Sequence, residues 1–243
     1  MARECEQLDL RLRSSWQSCI PETSQCCPSI TARALTACSL LFVAALFEEQ
    51  PLLVDLEPTI PVKKTLPSAP RRTQVERDNA TEKQAAQDAK QTSTVTVFTP
   101  SGEHIIAGTS KGWVNIIETK SCRTLYSMRI TPNIVIFVRL TASGRDMVVN
   151  SSDRILRTVQ LPDLTNPNLD FDNLRLEVEF KFQDLVNRLS WNHVSFSSTG
   201  EYITASTYMN HDIYVWERGH GSLVKILEGK EELSVVEVRA ARR

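Results

Sequence analysis

Apolar positions along this chain alternate with polar ones in short runs, and the runs return in a fixed order. The stretch "VFTPSGEHIIAGTSKGWVNIIE", Val97 to Glu118, starts on apolar residues. It then shows small polar residues, a glycine, a charge, a short apolar run, small residues, a turn and a second apolar run. The same order recurs in "VRLTASGRDMVVNSSDRILRTVQ", Val138 to Gln160, and in "VSFSSTGEYITASTYMNHDIYVWE", Val194 to Glu217. A period of two is the mark of half-buried strands. A further alternating run follows each copy: "RTLYSMRI" (Arg123 to Ile130), "RLEVEFKF" (Arg175 to Phe182) and "SLVKIL" (Ser222 to Leu227). These have the pattern of outer, half-exposed strands. Gly102 and Gly144 lie 42 positions apart; Gly144 and Gly200 lie 56 apart, the excess being "LPDLTNPNLDFDN" at 161–173. Four strands repeating every 40–45 residues or so point to a WD-repeat β-propeller.

The expected fold is all-β, a partial propeller of about three blades within 94–238. A partial blade is expected at 39–66, where "SLLFVAALF" and "PLLVDLEP" flank a hairpin at Glu48–Gln50. Residues 1–38 lack strand periodicity and are read as disordered or unrelated to the domain. The segment 67–93 holds "PSAPRR" and "ERDNATEKQAAQDAKQ", polar and without an apolar face. It is expected to be an exposed, largely disordered insertion with a short helix at Glu82–Lys90. Trypsin would then cut first near Arg71, Arg72 or Arg77.

Within the unit, each position has a physical task. Gly102, Gly144 and Gly200 supply the positive φ of the turn between first and second strands. Trp216 ends the third strand and is expected to fill the gap between blades, with Ile117 and Val159 in the same place in the other copies. Asp153, six residues before Val159, is placed to close the turn between second and third strands by hydrogen bonding. Lys111 and Asn210 occupy the matching places, so the copies are degenerate.

Composition and chemistry narrow the function. Apolar residues make up 41% and net charge is −1, so bulk electrostatics call for no nucleic-acid or membrane partner. The longest uncharged run, Ala34 to Phe47, is shorter than the roughly 20 residues of a membrane span. Five of six cysteines (Cys5, Cys19, Cys26, Cys27, Cys38) fall in the first 38 residues without Cys-x-x-Cys, and are read as free thiols. His104, His193, His211 and His220 share no ligand spacing, and no phosphate loop or nucleophile turn occurs. No catalytic residue, cofactor, metal or small-molecule substrate is therefore assigned. The turns between second and third strands gather on one face, which carries Lys111, Trp113, Arg154, Asn210 and His211. That face is the candidate partner-binding surface.

The strings "AALFEEQPLLVDL", "HIIAGTSKGWVNIIET", "NSSDRILRT", "LVNRLSWNHVSFSSTGEYITAS" and "HDIYVWERGHGSLVKILEG" resemble the retinoblastoma-binding protein 5 family. The likeness is closest to its fungal branch, the WD-repeat subunit of the COMPASS histone methyltransferase, and covers about Ser39 to Val236. The resemblance implies a non-catalytic nuclear scaffold supporting methylation of lysine four of histone three. Its implied partners are other subunits of the complex and the nucleosome, through histones and DNA. Residues 1–38 do not resemble the blades that open the family pattern. The family also continues beyond "ELSVVE", so the sequence is read as a truncated fragment. The alternatives are a WD-repeat adaptor in another assembly and a truncated product without function.

Overall fold

A strand that is apolar on both faces must be covered on both, and here the sheets cover one another. The computed structural model describes residues 41–44, 49–58, 60–72, 81, 86, 88, 90–184, 189–207 and 212–228. The first sheet is a three-stranded meander of β1 (Leu41–Ala44), β2 (Leu52–Asp55) and β3 (Val62–Thr65). The second comprises β4 (Ser93–Phe98), β5 (His104–Thr109), β6 (Trp113–Glu118) and β7 (Thr124–Arg129). The third comprises β8 (Val135–Leu140), β9 (Asp146–Ser151), β10 (Leu156–Gln160) and β11 (Val178–Phe182). The fourth comprises β12 (Trp191–Phe196), β13 (Tyr202–Thr207), β14 (Ile213–Glu217) and β15 (Ser222–Leu227). All pairings are antiparallel between sequence neighbours. The innermost strands β4, β8 and β12 stand side by side. The arrangement is that of propeller blades around an axis.

Three apolar layers fill the gaps. Val43, Leu53, Leu66, Phe98, Ile105 and Ile117 join the first two sheets. Val95, Val97, Ile106, Val114, Val138, Val149 and Val159 join the second and third. Val148, Leu156, Phe182, Trp191, Val194, Tyr214 and Trp216 join the third and fourth. Trp216 is 3% exposed, with Trp191 at 5.1 Å, Tyr214 at 5.5 Å and Phe182 at 5.7 Å between ring centroids. Blades also approach closely near the axis: a Cβ on Gly108 would lie 2.4 Å from Val135 Cγ1.

The turn between first and second strands is built identically three times. The amides of Gly102, Gly144 and Gly200 donate to the carbonyls of Thr99, Thr141 and Ser197 at 2.9, 3.0 and 3.0 Å. Their φ angles are +77°, +72° and +78°, which a side chain would strain. Each innermost strand also starts with a β-bulge, between Ser93 and Val95, between Val135 and Phe137, and between Trp191 and Val194.

The insertion departs from expectation at its ends. Its first residues are a strap, not a free loop. Leu66 and Ser68 are buried, and the Ser68 hydroxyl bonds that of Ser93 at 2.9 Å. The buried Asn115 amide donates to Ser68 O at 3.1 Å. Arg71 N donates to Ser127 Oγ at 2.8 Å, and its guanidinium reaches Leu125 O at 2.6 Å and Asp172 at 2.7 Å. Arg72 pairs with Asp88 and lies 5.9 Å over the Trp113 ring. The reason is polar satisfaction: Asn115 is fully buried and needs partners, and the strap's backbone provides one. Ala86 and Asp88 are helical. The rest of the helix expected at Glu82–Lys90 is not described apart from Lys90, which stands in a turn. Arg77 and residues 1–38 lie outside the described residues.

Two outcomes are expected. Brief trypsin treatment of the folded protein should leave the bonds after Arg71 and Arg72 intact by mass spectrometry; early cleavage there would show that the strap does not hold in solution. Trp216→Ala should lower stability in urea unfolding by about 3–5 kcal/mol, the usual cost of emptying a buried aromatic site. A change below about 1 kcal/mol would place Trp216 outside the core.

Candidate partner-binding face

The turns between second and third strands lie at the same end of the sheets as the connectors that enter the next blade. Hydrogen bonds weld the two sets into a rim. Ile130 N donates to Gly112 O at 2.9 Å, and Ser152 N to Ile134 O at 2.9 Å. The Thr131 hydroxyl donates to Asp153 Oδ2 at 3.0 Å, and Trp191 Nε1 to Arg154 O at 2.9 Å. The β5–β6 turn, the connector 130–134, the β9–β10 turn and the start of β12 thus form one continuous strip.

Gly112 and Arg154 hold equivalent positions, with φ of +78° and +68°. At Gly112 the left-handed backbone and a carbonyl 1.8 Å from any Cβ both demand glycine. Arg154 accepts the same conformation at a cost of about 1–2 kcal/mol. Backbone strain of this kind survives where the surroundings over-determine it. Here the Arg154 amide and carbonyl are both hydrogen bonded, and its side chain stands exposed.

Asp153, beside it, is surrounded. Ser151 Oγ donates to it at 2.6 Å, Ile155 N at 3.2 Å, and Arg157 grips both oxygens at 3.0 and 2.6 Å. Burial opposes the charge, but the hydrogen bonds from Arg157 and Ser151 and the Arg157 charge outweigh it. The carboxyl is held far below the usual carboxylate range. Arg157 is itself buried, so the pair is a neutral unit inside the turn. Arg157 and Thr131 were not assigned from sequence. The readable signal was an arginine four residues after the turn aspartate, on the returning strand.

The residues proposed for this face separate into groups. Lys111 and Arg154 are exposed on adjacent turns of the rim. Trp113 is corrected: it is 8% exposed and lies under Arg72, because its strand position points into the gap toward the first sheet. Asn210 and His211 lie outside the described residues. Thr207 and Asp212, which bracket them, are joined by a 2.9 Å bond from Asp212 N to Thr207 Oγ1.

His104 is buried against Phe171 at 6.1 Å, and burial pushes its imidazole below its ordinary value despite Glu103 and Glu118. His220 sits exposed 3.2 Å from Glu217. Among the described residues no three His, Cys, Asp or Glu stand together as a metal site.

With the repeat and the rim in view, comparison with known proteins is informative. The Set1 complex component swd1 of Schizosaccharomyces pombe is 46% identical over 194 residues, 79% of this chain. A crystal structure of the Swd1 (Cps50) β-propeller domain of Myceliophteria thermophila superposes with a TM-score of 0.70 at 52% identity, covering 79% of this chain and 57% of that one. The chain belongs to the Swd1/retinoblastoma-binding protein 5 family. The COMPASS component SWD1 of Saccharomyces cerevisiae is 36% identical over 145 residues, 56% of this chain. The retinoblastoma-binding protein 5 homolog of Drosophila melanogaster is 31% identical over 140 residues, also 56% of the chain. These matches span 45%, 33% and 28% of the three relatives, so the chain covers less than half their length. No family model matches the chain.

In this Swd1-type rim, Asp153 generates a pH-dependent prediction. Its folded pKa lies below the unfolded value of about 3.9, so the unfolded chain binds more protons in acid. The stabilisation is complete above that value and is lost as pH falls through the folded pKa. Asp153→Asn should cost about 3–5 kcal/mol near neutral pH, because Arg157 loses its counter-charge in a buried site. The variant's stability should also fall less between pH 4 and pH 2. Parallel acid unfolding curves for the two proteins would contradict this assignment.

Proposed function

We propose that this chain is part of a non-catalytic WD-repeat scaffold subunit of a nuclear COMPASS-type histone methyltransferase complex. In that role it supports methylation of lysine four of histone three and so acts in chromatin and transcription. The observation that carries the reading is the level of identity to a Set1 complex component across the blades, together with a Swd1-type propeller. The architecture suits a scaffold. Turns and connectors are locked to one another, and the charged groups stand at the rim of a rigid body instead of converging in a cleft.

The exposed Lys111 and Arg154 give the rim a positive local charge on a chain that is near neutral overall. Asp153 does not cancel it, because Arg157 already holds that carboxylate. This face is assigned to the nucleosome, through phosphate contacts that position without reading base sequence. In the full-length protein, Lys111→Glu with Arg154→Glu should weaken nucleosome binding. It should also reduce the slope of log affinity against log salt by about 2, the value for two lost phosphate contacts. Assembly with other subunits should persist. Unchanged nucleosome binding at physiological salt would reject the face as the contact; lost assembly would give it to a protein subunit.

A further inference from the structure

Beyond buried Leu66 and the Ser68 hydroxyl, the strap is held on the second sheet by its main chain and two arginines. Asn115 and Ser127 are cross-strand partners on β6 and β7. Asn115 Nδ2 donates to Ser68 O at 3.1 Å; Ser127 Oγ donates to Asn115 Oδ1 and accepts Arg71 N, both at 2.8 Å. The Arg71 guanidinium uses one nitrogen for Leu125 O, at the bulge of β7, and the other for Asp172, on the insert between β10 and β11. The Arg72 guanidinium lies over the Trp113 ring and pairs with Asp88. A carbonyl, an amide and two guanidinium groups are features that any extended arginine-bearing peptide presents. The strap does not fit this seat fully. The Arg71–Asp172 side chains are 38% and 76% exposed, and ion pairs so open hold weakly. Gln91 leads into Thr92, which is hydrogen bonded to Ser110 in the turn before Trp113. Gln91 and Trp113 are 4% and 8% exposed, yet both amide atoms of Gln91 and the indole Nε1 have no hydrogen-bond partner among the described residues. Unpaired buried polar atoms disfavour the arrangement that leaves them so.

We propose that the seat of the strap is a docking site for an extended segment of a protein partner that carries two neighbouring arginines, with the strap as its resident competitor. The partner's main chain would take Asn115 and Ser127. Its first guanidinium would take Leu125 O and Asp172, and its second the Trp113 face. Once the strap arginines leave, Asp88 and Asp172 are bare carboxylates, so charge also selects a cationic segment. Arginine is required over lysine: one planar fork serves a carbonyl and a carboxylate at once, and a guanidinium stacks flat on an indole. A partner carbonyl at Trp113 Nε1 would pair a donor that the strap leaves bare, and so favour the partner over the tethered segment. The tether gives the strap an effective concentration of about millimolar, which sets the threshold a partner must pass. The site goes beyond the nucleosome reading and does not depend on it.

The test uses the full-length protein and the strap's own sequence as probe: fluorescein-labelled Leu-Pro-Ser-Ala-Pro-Arg-Arg-Thr-Gly, with a twin of equal charge in which both arginines are lysine. In fluorescence anisotropy the arginine peptide should bind Arg71→Ser/Arg72→Ser protein about tenfold tighter than unaltered protein, or more, because the tethered competitor has lost its two charged contacts. The lysine twin should bind that variant severalfold more weakly than the arginine peptide. Adding Asp172→Asn, on the exposed insert, should weaken the arginine peptide severalfold. No binding to the strap variant at millimolar peptide would overturn the proposal, as would equal affinity for the two peptides, or an affinity indifferent to Asp172→Asn. Melting curves establish that the variants are folded. If the strap variant does not fold, hydrogen exchange on the unaltered protein decides. The fragment spanning 66–72 should exchange faster at millimolar arginine peptide than at the same concentration of its lysine twin, and no acceleration would overturn the proposal.

Discussion

A four-stranded sheet with apolar side chains on both faces cannot persist alone in water; it must be packed between two others. That requirement organises this chain. Ile105 and Ile117 face one neighbour of the second sheet while Ile106, Val114 and Ile116 face the other, and all are buried. Side-chain volume in each gap is supplied differently, by aliphatics with a single Phe98 in the first, by aliphatics with Met147 in the second, and by a Phe182, Trp191, Tyr214 and Trp216 cluster in the third. Where no further sheet is described, on β15, Leu223, Val224, Ile226 and Leu227 are 41–55% exposed. The outer strands β7 and β11, in sheets that have neighbours, are instead mostly half-buried.

Stacking sheets around an axis forces turns and connectors together at one end, and there the dominant physics changes from apolar burial to polar satisfaction. The Asp153–Arg157 pair, the Trp191–Arg154 bond and the Gly112–connector bonds each consume a backbone or buried polar group. Lys111 and Arg154 stand exposed on the turns of this rim. A frame held by such bonds suits binding, since little conformational entropy is lost when a partner meets it.

The three four-stranded sheets, their order and the inter-blade position of the third-strand residue were legible in the sequence, because period-two alternation and turn glycines are local signals; β3 of the first sheet, exposed along its length, was not read. The strap was not. "PSAPRR" looks like a free loop by composition, and its docking depends on Asn115 and Ser127, residues tens of positions away whose demand for partners appears only in three dimensions. Trp113 was misread for a related reason. Its place next to a turn suggested exposure, but strand alternation starts at that residue and turns it inward. The bulges were invisible because alternation looks the same with one residue extra.

The central claim is that these blades belong to a scaffold of a methyltransferase assembly. Purification of the full-length gene product at native levels, followed by quantitative mass spectrometry, tests it most directly. The account predicts stoichiometric recovery of a Set1-type methyltransferase subunit, and retention of that subunit by Lys111→Glu/Arg154→Glu protein. Recovery of the protein alone, or in an assembly without any methyltransferase, would contradict the account.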